Sequence, residues 1–477
     1  MVVRMVRTKV LAILLGPAGI GLEAIFDSVL TLVRTLFDLG ISSSGVRQIA
    51  SAESSGDPQR IARTVFTLRR TCLVLGALGA VSLLLGREWA SRAAFDDANH
   101  ATAIGWLAIA LFFANVNAGQ GALLQGLRRV GDLARMKIIG AIAGAAASIP
   151  IVMVWGRGGV PAYMIVGAGM ALLVSWYYTR KVAVAKVAMP ASIVISEARG
   201  LFALGIAFMV SGLIASGAAF LLRALITREF GLEGAGQFQA ASALSMVYIG
   251  FILQAMGTDF YPRLTAVAAD DEKCNRTVNE QAEVSLLLAL PGILGTLALA
   301  PWVIKLFYSG DFSLATDILS WQMCGMLLRI MSWPMGFIVM AKGRGAMVFW
   351  TELAAFGTYL AMAWSGLQWF GLMGAGIAFF GMYVFHVTMM YTVVRRMTGF
   401  RWDSQYLGFA TVGLSAALFV LWVRLEWPEP WATLVPCTLS AAASLYSLKK
   451  LLAIVGFERM QRIAGKLKLS WVLEALR

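Results

Sequence analysis

Four ionisable residues interrupt one apolar stretch, "GIGLEAIFDSVLTLVRTLFDLGISS": Glu23, Asp27, Arg34 and Asp38. Asp27, Arg34 and Asp38 follow Glu23 by 4, 11 and 15 residues. At about 100° per residue these offsets fall within roughly 60° of one another, so one helix face bears a charged stripe about 22 Å long. Such a stripe can line a wet cavity, where carboxylates carry a proton or a metal cation. It can also be a set of internal ion pairs, Arg34 with Asp27 or Asp38, that only hold helices together. Glu352, in a later apolar segment, presents the same choice: it joins Glu23 and Asp27 as a coupling group, or it pairs with Arg329. Arg7, Arg34, Arg223 and Arg329 form the best set of buried cations, and arginine donates bidentate hydrogen bonds to phosphate oxygens. Snorkelling to an interface is the competing role for Arg223.

The elements that position these groups are membrane spans. The 477 residues are 59% hydrophobic and 14% charged, with a mean hydropathy of +0.74. A soluble domain holds about 25% charged residues. The apolar excess comes in blocks of about 20 residues, the length of a spanning helix. The pattern predicts an all-α polytopic membrane protein of about fourteen spans. With both termini on one side, that side receives 31 of the 40 Lys and Arg residues, the other side 6, and the membrane interior 3. Basic loops stay cytoplasmic, so this bias predicts both termini inside. It also accounts for the net charge of +14 without a nucleic-acid partner.

Several chemistries find no support. The four cysteines (Cys72, Cys274, Cys324, Cys437) are scattered with no CxxC pair, and His100 and His386 are the only histidines. Neither a metal site nor a disulfide framework is implied. No GxxxxGK[ST] loop is present, so no ATP engine is expected. No cleavable signal peptide is expected, because the first apolar segment runs into a second without a small-residue cleavage site. The first span, "MVVRMVRTKVLAILLG", offers 16 residues before its glycine turn, which is short for a spanning helix. Either the helix starts below the membrane plane or the start has lost residues. "SSGDPQRIARTVFTLRR" reads as a surface helix, capped by Asp57 with Pro58 in its first turn. The tail after residue 448 is basic and amphipathic, which suits either an anionic leaflet or water.

The chain also repeats. Gly16, Gly19 and Gly21 of "LLGPAGIG" match Gly231, Gly234 and Gly236 of "EFGLEGAG" at a shift of 215. Arg47 and Arg60 match Arg263 and Arg276 at 216, and Gly126 matches Gly343 at 217. Three landmarks in one order imply two six-helix lobes, 1–190 and 195–400, then two extra helices at 401–448 and a tail at 449–477. Both lobes begin on the same side, so the repeats are parallel, and such halves commonly enclose a central site. The glycine cluster is then an outer turn rather than a nucleotide loop. The charged stripe does not repeat: a shift of 215 sets Phe238, Ser242, Ile249 and Leu253 at its positions.

"MVRTKVLAILLGPAGIGL", "LGISSSGVRQIA", "LLQGLRRVGDLARMKIIGA" and "YPRLTAVAADDE" resemble the polysaccharide-transport branch of the multidrug/oligosaccharidyl-lipid/polysaccharide flippase superfamily, in particular O-antigen flippases of the Wzx type. The resemblance covers nearly the whole chain. It implies translocation of undecaprenyl-diphosphate-linked oligosaccharide across the bacterial inner membrane, and a V-shaped two-lobe fold around a cationic cavity. A diphosphate headgroup would find its partners in Arg7, Arg34, Arg223 and Arg329, and Arg7 matches the family's basic position in the first helix. Transport would follow a H+ or Na+ gradient, the membrane potential or consumption of the product, without an organic cofactor. Membrane lipids and the polysaccharide polymerase or chain-length machinery are the expected partners. A multidrug antiporter of the same fold is the first alternative; it would favour an acidic, aromatic pocket. A membrane glycosyltransferase or polymerase is the second, with "FDD" at 95–97 as its one hint.

Overall fold

A computed structural model describes residues 2–182, 191–428 and 430–455. Among them every regular element is helical. The first part of the chain forms α1 (Val2–Asp38), α2 (Ile41–Ser54), α3 (Pro58–Leu85), α4 (Arg87–Phe95), α5 (Ala101–Gly126), α6 (Val130–Trp155) and α7 (Val160–Thr179). The second forms α8 (Ala191–Ala255), α9 (Tyr261–Ala266), α10 (Asp271–Ala298), α11 (Ala300–Phe307), α12 (Ala315–Ala341), α13 (Gly345–Phe370) and α14 (Gly374–Thr398). Two more helices follow, α15 (Ser404–Glu426) and α16 (Trp431–Val455). Nine described stretches are long and apolar enough to cross a membrane; Val130–Thr179 and Gly345–Thr398 each hold two helices. The chain is therefore a multi-pass membrane protein. The last expected span, α16, is not among the nine. The tail beyond residue 455 lies outside the described residues.

The repeat is visible element by element. α3 and α10 are both 28 residues long, and α6 and α13 are both 26. Both 28-residue helices open on an aspartate cap: Asp57 accepts from the Gln59 amide at 2.8 Å and Asp270 from the Lys273 amide at 3.1 Å. A carboxylate at this place satisfies amides that have no intrahelical partner. Neighbours match too. α3 packs on α5, α5 on α7 and α6 on α7, while α10 packs on α12, α12 on α14 and α13 on α14. α15 and α16 lie against α10.

Backbone geometry refines the register. Gly16 (φ 65°, ψ −173°) and Gly231 (φ 68°, ψ −174°) share one non-helical conformation inside α1 and α8. That region is open to glycine and strained for other residues. Arg128 and Gly343 are likewise both left-handed, 215 residues apart. Gly343 therefore corresponds to Arg128, and the shift of 217 to Gly126 is corrected. A second correction concerns residues 54–70. Asp57 and Pro58 start the helix as expected, but no breaker follows, so α3 runs unbroken into the third span instead of forming a separate surface helix. The short helix of this region is α2.

By internal packing the chain divides into two compact units, residues 1–239 with 306–311, and residues 240–305 with 312–477. The hairpins of both repeats meet within the first unit. A Cβ on Gly21 would overlap the carbonyl oxygen of Leu232, and one on Gly236 would overlap that of Pro17. Each repeat thus offers its glycine to the other's backbone, as a two-fold relation requires. Other groups tie the same region together. Arg228 donates to the carbonyls of Arg92 and Ala93 at 3.0 and 2.9 Å, and Lys9 donates to that of Tyr308. Gln237 donates to the Asp311 carbonyl at 2.7 Å. In the second unit α12 is the most enclosed span, with Ile318, Leu319 and Cys324 fully buried.

Candidate functional site

Two arginine-centred clusters stand out, one in each unit. In the first, Arg7 Nη2 meets Glu23 Oε1 at 3.2 Å across 16 residues of sequence. A continuous helix would hold those residues about 24 Å apart. Their contact is possible only because the chain folds back at Gly16. The second repeat builds the same pairing: Arg223 donates to Gln239 Oε1 from Nη2 at 3.0 Å and from Nε at 3.3 Å, again across 16 residues and around Gly231. In register Glu23 still corresponds to Phe238, and Gln239, one residue on, makes the analogous contact with Arg223. The two repeats differ here by a carboxylate against an amide.

Tyr163 on α7 completes the first cluster. Its ring lies beneath the Arg7 guanidinium, 5.5 Å from centroid to Cζ, and its hydroxyl adjoins Glu23. Asp27, one turn along the helix from Glu23, is exposed and lies within electrostatic range of Arg223, Arg7 and Arg34. Charge exposed in the middle of a spanning helix faces water, because lipid would penalise it by several kcal/mol. The unit thus brings together Arg7, Glu23, Asp27, Arg34 and Arg223, the first two as an ion pair. Asp38 is not part of this group. Its carboxylate accepts from Ser42 Oγ at 2.6 Å and from the Ser42 amide at 3.4 Å, so it holds the turn between α1 and α2.

In the second unit Arg329 projects from α12. Its guanidinium stands over Trp333 at 5.0 Å and Tyr383 at 5.8 Å, and Nη1 contacts the Met246 sulfur at 3.1 Å. Tyr383 in turn packs edge-on against His386 at 5.8 Å. Among the described residues no carboxylate pairs with Arg329. Ring faces stabilise a cation by about 0.5–2 kcal/mol each without neutralising it. The result is a half-buried positive charge in an aromatic and thioether cage. Glu352 is half-buried on α13.

Charge patterning in the sequence does not point to Tyr163, Gln239, Trp333, Tyr383 or His386. A signal for Trp333 was present, since it follows Arg329 by four residues and so shares its helix face. No group of three or more His, Cys, Asp or Glu side chains capable of holding a metal occurs among the described residues.

Residues 10–316 match the family model described as polysaccharide biosynthesis protein. The lipid III flippase of Escherichia coli (strain K12) is 23% identical over 393 residues, 80% of this chain and 91% of that protein. A candidate O-antigen transporter of Shigella flexneri is 23% identical over 373 residues, 76% of this chain and 87% of that one. Among solved structures, the lipid II flippase MurJ in an inward closed conformation superposes with a TM-score of 0.72 at 13% identity, covering 95% of this chain and 97% of its own. An inward-facing multidrug resistance MATE family transporter of the MOP superfamily superposes with a TM-score of 0.70 at 15% identity, covering 82% and 94%. The fold is the one these transporters share.

Proposed function

The chain belongs to the polysaccharide biosynthesis protein family, and from that membership we propose that it flips undecaprenyl-diphosphate-linked oligosaccharide, an O-antigen or other polysaccharide repeat unit, across the bacterial inner membrane. The Arg329 cage carries the reading. A guanidinium held by Trp333, Tyr383 and Met246 can donate charge-assisted hydrogen bonds to the phosphates of such a headgroup. Aromatic faces beside it offer a surface for a sugar ring.

Arg7, Arg34 and Arg223 supply further cations, and Glu23 and Asp27 the groups that titrate or bind an ion during the cycle. Glu352 serves as a third such group. Transport is non-catalytic, proceeds by alternating access and is coupled to H+ or Na+, with no organic cofactor. Both termini face the cytoplasm, and the polymerase and chain-length machinery receive the product. The acidic pair Glu23 and Asp27 favours one second reading, a multidrug or cation antiporter. Against it, Glu23 is already paired with Arg7, and Asp27 lies in the electrostatic field of Arg223, Arg7 and Arg34.

Complementation tests the proposal. In a strain lacking its own O-antigen flippase, the wild-type gene restores surface glycan, whereas Arg34→Ala and Arg329→Ala leave it inside despite normal membrane levels. Restored export of a drug, with no surface glycan, would favour the antiporter.

A further inference from the structure

A second kind of anion site lies on the first unit, away from the charged hairpins. A cavity of about 440 Å³ opens among α3, α5 and α7, lined by Arg69, Arg180, Gln120, Leu73, Leu173 and Trp176 among others. Its polar end holds two guanidinium groups. Gln120 accepts from Ser175 Oγ with its carbonyl, which leaves its NH2 group to donate. Arg180 is steadied over the Trp176 and Tyr177 rings at 5.2 and 5.0 Å. The rim is apolar and outward-facing: Leu73, Leu173 and Trp176 are 44%, 59% and 55% exposed. On a membrane-spanning surface such residues face acyl chains, and tryptophan with arginine marks the headgroup level.

Comparison with the second repeat shows that this cavity is built rather than left over. At a shift of 215, Arg180 and Trp176 keep their counterparts in Arg395 and Tyr391, which also stack. Arg69, Gly119 and Gln120 do not: α3 and α10 align cap to cap at a shift of 213, which sets Ala282 opposite Arg69, while Pro334 and Met335 stand opposite Gly119 and Gln120. Pro334 and Met335 are buried, so the space is filled there. The first repeat carries a cation and an amide where the second carries the buried apolar residues Ala282 and Met335.

From these observations we infer that the cavity is a site for an anionic phospholipid of the surrounding membrane. The phosphate sits between Arg69 and Arg180 and accepts from Gln120, and the upper acyl chains run along Leu73, Leu173 and Trp176. A bulk phospholipid fits better than a glycan carrier, because beyond Gln120 and Thr179 the lining has few groups to hydrogen-bond sugar hydroxyls. Two arginines matched to one phosphate give charge-assisted hydrogen bonds in a region of low dielectric.

The full chain, reconstituted in nanodiscs of phosphatidylcholine doped with phosphatidylglycerol, tests this by native mass spectrometry of retained lipid. Phosphatidylglycerol is retained about tenfold over phosphatidylcholine, and Arg69→Gln or Arg180→Gln removes the preference. Gln120→Met, which installs the residue of the second repeat, weakens it without changing charge and guards against misfolding of the arginine variants. Lys181→Gln removes a neighbouring charge that does not line the cavity and leaves retention unchanged. Equal retention of the two lipids overturns the inference, as does a loss in Lys181→Gln equal to that in Arg180→Gln. Displacement of phosphatidylglycerol by undecaprenyl diphosphate would assign the cavity to the substrate and overturn it as well.

Discussion

Arg7 and Glu23 form an ion pair at 3.2 Å around the turn at Gly16, where the second repeat sets Arg223 against Gln239 around Gly231. The same hairpin carries a titratable partner in one repeat and a neutral one in the other. Replacing Glu23 with Gln therefore converts the first hairpin to the chemistry of the second. The hydrogen bond survives, so the protein keeps its thermal midpoint within a few degrees. If Glu23 couples flipping to an ion gradient as proposed, that dependence should be lost. Flipping by Glu23→Gln in proteoliposomes that still responds to an imposed pH or Na+ gradient would remove Glu23 from coupling.

Gly21 and Gly236 test the pseudo-two-fold packing. Alanine at either position drives a methyl group into the opposing carbonyl oxygen, at Leu232 or at Pro17. Overpacking of this kind costs about 1–3 kcal/mol. Gly21→Ala and Gly236→Ala should each lower the melting temperature, by similar amounts because the contacts are equivalent. Normal stability of both variants in fluorescence-detected size exclusion would contradict the reciprocal contact.

The cap of α10 has a pH signature. The Lys273 side chain, at 2.9 Å from Asp270, and the Lys273 amide hold the Asp270 carboxyl below its ordinary value. Its folded value lies under the unfolded one, so the cap stabilises above the ordinary carboxylate range, about pH 3.9, and fades as pH falls through the folded value. Hydrogen exchange at residues 271–274 should be faster in Asp270→Ala than in wild type at neutral pH. The difference should shrink in acid. A difference that persists undiminished there would detach the cap from the carboxylate charge.

Arg228 binds the carbonyls of Arg92 and Ala93 and lies 3.7 Å from Asp96. These carbonyls end α4, where a cation also meets the negative pole of the helix. Arg228→Ala should raise hydrogen exchange across residues 92–100 while leaving α3 protected. Unchanged exchange in that segment would show that the arginine does not hold it.

Much of the frame was legible in the chain itself, for physical reasons that can be named. Gly16 and Gly231 could be matched because their backbone conformation admits almost nothing but glycine, so the residue type records the geometry. Asp57 before Pro58 announced a helix start, since few other residues serve at those positions. What failed was of another kind. Arg128 takes a left-handed conformation that only Gly343 in the other repeat reveals, and the repeat register drifted there. Gln239 was overlooked because it lies one residue beyond the position that the repeat assigns to Glu23, and only the fold around Gly231 brings it to Arg223. Trp333, Tyr383 and His386 sit in apolar runs, and only folding brings the latter two, from α14, to Arg329 on α12. Asp38 read as part of a charged stripe because periodicity reports the face of a residue and not its partner, Ser42.

In the proposed function Arg329 donates to the diphosphate of the headgroup. The most direct test of that contact is the flipping of a fluorescent undecaprenyl-diphosphate oligosaccharide by purified protein in proteoliposomes, read by quencher accessibility. Arg329→Ala should reduce the rate at least about tenfold, the factor that loss of one charge-assisted contact of roughly 1.4 kcal/mol implies. Arg329→Lys, which keeps the charge but not the bidentate fork, should fall between. Wild-type flipping by a folded Arg329→Ala protein would contradict the account.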